Sequence, residues 1–130
     1  MTTRIRWISF ALAWACLACG EQKAKAPEPT PALRAEAEKL FVDRCARCHG
    51  VLGKGDGPEA KTLDPRPRNF ADPTWQLAIP DPQLDKVIVE GGPAVGKSTA
   101  MPAHPELASR PELLVALRQY LRVLAGNANR

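Results

Sequence analysis

Apolar positions along the chain change rhythm three times, and each change predicts a different element. Behind Arg4 and Arg6 lies a nearly continuous apolar run, Trp7 to Ala18. At 12 residues it is too short to cross a bilayer. A basic start followed by such a run reads as a secretory signal over residues 1–18. From residue 19 to 31 the rhythm disappears into Lys, Ala, Glu and Pro, ending Ala26-Pro27-Glu28-Pro29-Thr30-Pro31, which reads as an extended tether. A helical period then begins. Thr30 is a predicted N-cap with Pro31 at the first helical position, and Leu33, Ala37, Leu40 and Phe41 share one face. At the far end Ser109-Arg110-Pro111-Glu112 has the Ser-x-x-Glu capping-box pattern. Leu113, Leu117, Tyr120, Leu121 and Leu124 follow on one face of a helix that stops near Gly126. Each amphipathic helix lacks a partner, so the two are predicted to bury their stripes against each other, with small Ala37 letting the backbones approach.

Between these helices proline and glycine punctuate the chain, from Gly50 through Gly57-Pro58, Pro65, Pro67 and Pro73 to Gly91-Gly92-Pro93. That density excludes long helices and a sheet. It leaves room for one short helix, Pro82 to Glu90, with Asp81 as N-cap, Leu84, Val87 and Ile88 facing inward and Gly91 as the stop. No internal repeat is present. The expected fold is all-α: one small domain over residues 32–126, a tail at 127–130, and too few apolar residues for a large core of its own.

Charge alters this picture little. The chain carries 18 basic and 14 acidic residues, but Arg4 and Arg6 fall in the signal, leaving 16 against 14. No basic stripe with interleaved aromatics is present, so nucleic acid is not an expected partner. Four cysteines suggest a disulfide set for an exported chain, yet Cys16 and Cys19 belong to the signal region. Leu17-Ala18-Cys19 resembles the end of a bacterial lipoprotein signal, in which the cysteine is lipidated, although Cys16 stands where an aliphatic residue is preferred. Lipidation at Cys19 would make the tether a spacer between a membrane and a periplasmic domain.

The remaining two cysteines lie in Cys45-Ala46-Arg47-Cys48-His49. A C-x-x-C-H run on one helical turn is a site for covalent attachment of a c-type haem: each thiol adds to one vinyl group, and the following histidine supplies the proximal iron ligand. Two other chemistries use a Cys pair. A zinc site needs further ligands, and downstream only His104 is available. A redox dithiol needs a preceding strand, whereas a helix-like segment precedes this one. A haem would also complete the deficient core. Met101, in Ser98-Thr99-Ala100-Met101-Pro102, is the only methionine besides Met1 and lies 52 residues after His49. It is the expected sixth ligand, with His104 as competitor. A thioether is a soft, weak donor that favours ferrous iron.

A second motif competes for attention. Gly91-Gly92-Pro93-Ala94-Val95-Gly96-Lys97-Ser98 satisfies G-x-x-x-x-G-K-[ST], and Lys86–Glu90 before it has a strand-like composition. A P-loop must open a helix, however, and Pro102 and Pro105 interrupt the segment that would form it. The glycines are better read as a loop leading to Met101, with Lys97 on its solvated rim.

Taken together, C-x-x-C-H after an N-terminal helix, Gly57-Pro58, Met101-Pro102 in a late loop and an aromatic-bearing C-terminal helix resemble the small class I c-type cytochromes. The resemblance covers about residues 32–125, and Gly55-Asp56-Gly57-Pro58 and Pro67-Arg68-Asn69-Phe70 resemble bacterial members. It implies one covalent haem c bound through Cys45, Cys48, His49 and Met101, with the Pro58 carbonyl accepting the free ring N–H of His49. Arg66, Arg68, Asn69 and Trp75 are candidate donors to the haem propionates, against the alternative of a solvated loop with one packed indole. The implied activity is one-electron transfer between transient redox partners, not an enzymatic reaction. The rival from another class is a haem enzyme or gas sensor with an open sixth site.

Overall fold

A computed structural model describes residues 28–127; the predicted signal, Cys19, most of the tether and residues 128–130 of the predicted tail lie outside the described residues. All regular structure among those residues is helical. Helix α1 spans Pro31–Leu40, capped as expected by Thr30, whose hydroxyl accepts from the Leu33 amide at 3.3 Å. Among the described residues, contacts to α1 reach back before Thr30: Pro29 is buried and its carbonyl accepts from Arg34, which also pairs with Glu28.

Helix α1 does not end at Leu40. It widens into one π-helical turn, Phe41–Cys45, and resumes as α2, Ala46–His49. One inserted residue rotates whatever follows by about 100° around the axis. The Ala37–Phe41 stripe and the Cys-x-x-Cys-His turn can thereby serve different faces of one continuous rod.

Helix α5, Pro111–Leu124, packs along α1, burying Leu113, Ala116, Leu117, Leu121 and Leu124 against Ala37 and Phe41. Ala37 and Phe41 are both fully buried, and Phe41 lies tilted against Tyr120 with ring centroids 5.2 Å apart. Two helical faces without partners have found each other, as the apolar spacing predicted. The capping box, however, does not form. Ser109 belongs to a 3₁₀ turn, Pro105–Ser109, and its hydroxyl donates to the Glu106 carbonyl, so Arg110 occupies the N-cap position. The Arg110 guanidinium instead reaches Glu36 on α1, 2.9 Å through one of its two bonds.

Two shorter helices complete the frame. Helix α3, Pro73–Ala78, is capped by Asp72, whose carboxylate accepts from the Thr74 and Trp75 amides. Helix α4, Asp81–Glu90, begins one residue earlier than expected, which makes Asp81 its first residue and Pro80 its cap. Freed from capping, the Asp81 carboxylate pairs with Arg118 and Arg122 of α5. Arg118 also pairs with Asp85, while Arg122 donates to the carbonyls of Gln76 at 2.8 Å and Ile79 at 2.7 Å. Two arginines on one face of α5 thus fix α3 and α4. Leu84 and Ile88 fill the space beneath.

Gly91 ends α4 at φ 82°, as predicted, and the segment beyond it is not a P-loop. A helix precedes it where a strand is required. A short turn, Pro93–Val95, and then irregular loop follow where a helix is required.

Candidate haem attachment site

The motif turn is held by the loop that follows it. Carbonyls at a helix C-terminus lack partners within the helix, and here residues 50–57 supply them. Gly50 N–H donates to Ala46, Gly55 N–H to His49 at 2.8 Å and Gly57 N–H to Cys48 at 3.2 Å. The approach is close enough to exclude side chains. A Cβ on Gly57 would lie 2.4 Å from the Arg47 carbonyl oxygen and 2.5 Å from that of Ala46. The same loop anchors the next segment, because the Gly53 carbonyl accepts from Phe70 N–H at 2.6 Å.

This lacing sets the histidine. His49 is buried, and its Nδ1 lies 3.0 Å from the Arg68 carbonyl oxygen. A carbonyl only accepts, so Nδ1 carries the proton and Nε2 is left with its lone pair. Burial pushes the pKa of the His49 ring below the usual histidine range, with the Arg68 carbonyl pulling the other way. The neutral ring is the ligating form. The acceptor is therefore Arg68, not Pro58. Pro58 opens a 3₁₀ turn, Pro58–Thr62, next to Gly57, while the segment laced to Gly53 brings the Arg68 carbonyl to the ring.

The two cysteines are not bridged to each other, and both side chains are partly exposed. Burial pushes Cys45 up to about 11. Cys48 is also raised, first by burial and then by its hydrogen bond to Glu59, 3.5 Å from Sγ to Oε2. Arg47 holds the same carboxylate at 3.2 Å. Glu59 is a neighbour of the motif that the sequence did not single out; its spacing of 11 residues from Cys48 carries no periodic signal.

The other predicted residues divide. The Arg68 guanidinium lies 5.7 Å over the Trp75 ring, and Trp75 packs on the core beside Phe70. Asn69 turns its side-chain oxygen to the Ala71 amide at 2.8 Å. Met101 sits on a separate loop, half-buried, with its carbonyl accepting from Gly92 N–H at 3.0 Å and its amide donating to Ser98. Just beyond it, Pro102, Ala103 and His104 face Arg44 and Arg47 across a shared groove, bridged by Arg44–Glu106 at 3.5 Å. His104 is nearly buried, its amide shared between the Ile88 and Val89 carbonyls and its Nδ1 3.5 Å from Glu106.

Two unbridged thiols one turn apart, a neutral imidazole whose Nδ1 proton is held by a carbonyl so that Nε2 keeps its lone pair, and a loop closely fitted over the turn form a donor set suited to a covalently held haem. An all-helical domain with that donor set defines a class, the c-type haem proteins. The chain matches the cytochrome c family over residues 34–124, and it belongs to that family. No individual curated protein matches it. Family and motif together assign a covalently attached haem c, with Cys45, Cys48 and His49 forming the attachment motif, and haem-based electron transfer as the activity.

Proposed function

We propose that this domain carries single electrons between redox proteins, with iron ligated by His49 and Met101. The observation that carries the reading is the shared groove. The loop that bears Met101 continues as Pro102–His104 against Arg44 and Arg47 of the motif rod. His104, the competing ligand, is already engaged by Glu106 and tied by its amide to the end of α4. When bound, the haem supplies a one-electron ferric/ferrous couple. What the chain contributes is constancy. The Arg68 carbonyl fixes the imidazole, Gly92 and Ser98 fix the Met101 backbone, and a ligand set that does not move keeps reorganisation small.

Export and membrane attachment belong to the same proposal. Arg4 and Arg6, the apolar run to Ala18 and Leu17-Ala18-Cys19 support a periplasmic lipoprotein tethered through residues 19–31. Partners would then be other redox proteins reached by transient contact. Carbon monoxide tests the carrier reading. The ferrous protein should resist it, and Met101→Ala should bind it readily; ready binding by the unmodified protein would instead favour a haem enzyme or gas sensor. Mass spectrometry of the mature chain, showing lipid on Cys19 or its absence, tests the anchor.

A further inference from the structure

We propose that Phe70 is a positioning residue for the proximal imidazole; the proposal rests on the reading of His49 as an iron ligand. The two rings lie face to face, with centroids 4.3 Å apart and planes 17° from parallel. A hydrogen bond from Nδ1 to one carbonyl leaves a ring free to rock about that bond, and a flat partner on its face removes the rocking. The carbonyl and the flat partner come from one short segment, Arg68 and Phe70, so a single stretch of backbone sets both restraints.

Phe70 is itself held on every side. Its amide donates to Gly53 at 2.6 Å, and its carbonyl accepts from Gln76 Nε2 at 2.7 Å, the same amide group that donates to Leu121 of α5 at 2.8 Å. Its ring is buried, edge-on to Phe41 at 6.3 Å and tilted against Trp75 at 5.6 Å. The loop capping the motif, the core of the α1–α5 pair and the α3 helix therefore converge on one ring whose free face meets His49. A leucine would fill much of this volume without offering a flat face.

The test uses the haem-loaded protein and Phe70→Leu. Loss of the stack should speed solvent exchange of the His49 Nδ1 proton by roughly two- to tenfold, the equivalent of one aromatic pair. It should also change the g-value spread of the ferric electron paramagnetic resonance signal, and the Nδ1 proton should speed up by more than the amides of Leu117 and Leu121, which report any general loss of core stability. A variant that loses only thermal stability, with Nδ1 exchange and g-values unchanged, would reduce Phe70 to core filling and overturn the proposal. If Phe70→Leu fails to load haem, the ferrous wild-type protein decides by nuclear Overhauser contacts between the Phe70 and His49 rings: their presence supports the stack and their absence overturns it. Should His49 not be the ligand, its ring protons would lack the large upfield displacement of an axial imidazole even in the wild type. That result would remove the ligand reading, and the proposal with it, and is distinct from a missing stack.

Discussion

The α1–α5 pair and the loops over the motif turn are both closely packed, but they are held by different means. In the helix pair, side-chain volume decides: Phe41, Leu117 and Leu121 fill the space between two rods, and surface pairs such as Glu36–Arg110 close its edge. Over the motif turn, glycine's lack of a side chain is what allows the approach. Gly55 and Gly57 lie against the backbone carbonyls of Pro67, Arg47 and Ala46, Gly50 and Gly53 lie against the side chains of Asp56, Phe70 and Leu124, and hydrogen bonds between amides and carbonyls do the holding. The first region answers to lost methylene groups and the second to added ones.

That contrast can be broken from either side. Phe41→Ala should cost about 3–5 kcal/mol, measured by denaturant unfolding of the haem-loaded protein, because a fully buried ring leaves a cavity. A loss below about 1 kcal/mol would mean the helix pair is not the volume-governed region. Gly57→Ala adds one carbon where two carbonyl oxygens already stand, and should cost about 1–3 kcal/mol together with a fall in the yield of covalently loaded protein. Gly126→Ala, whose added Cβ meets nothing, should leave both unchanged. Equal yields from the two glycine variants would remove the backbone-contact account.

A third prediction concerns the polar edge between α4 and α5. Burial holds the Asp85 carboxyl above its ordinary range, against the pull of Arg118 and with Asp81 adding to the rise; its Oδ1 has no hydrogen-bond partner among the described residues. A folded-state pKa above the unfolded one means that the folded chain binds the proton more tightly. The ionised group therefore costs stability at neutral pH, and that cost is relieved as the pH falls through the folded value. Glu36 works in the opposite sense: Arg110 holds it low, so its contribution is present above the ordinary glutamate value and is lost on acidification. Wild type should accordingly gain stability relative to Asp85→Asn between about pH 7 and about pH 4. A difference that does not change with pH would contradict this. The smallest effect is expected at Leu77, which is 91% exposed: Leu77→Gln should shift stability by less than about 0.5 kcal/mol.

The same contrast explains what was legible in the sequence. Leu33, Ala37 and Phe41, and their counterparts on α5, announced their helices because apolar spacing is a side-chain signal. Gly91 announced the end of α4 for a similar reason: it lies in a conformation that glycine favours. The motif named its own chemistry. The π-helical turn at Phe41–Cys45 left no mark, since an extra residue in a turn changes register without changing composition. Ser109 misled because its hydroxyl found a carbonyl three residues back, and Asp81 because two arginines on α5 claimed its carboxylate. The partner of His49 was missed for a deeper reason. The acceptor is a backbone carbonyl, which every residue possesses, and only the fold selects Arg68. Phe70 and Glu59 were hidden likewise, because each acts through a contact that no spacing rule encodes.

The sixth ligand remains the centre of the account, and the far-red absorption of the ferric protein tests it most directly. Iron bound by a thioether gives a weak sulfur-to-iron charge-transfer band there, which histidine or water in that position does not produce. The wild-type protein should show this band, Met101→Ala should lose it and His104→Ala should retain it. A ferric spectrum without the band, or one that Met101→Ala leaves unchanged, would contradict ligation by Met101.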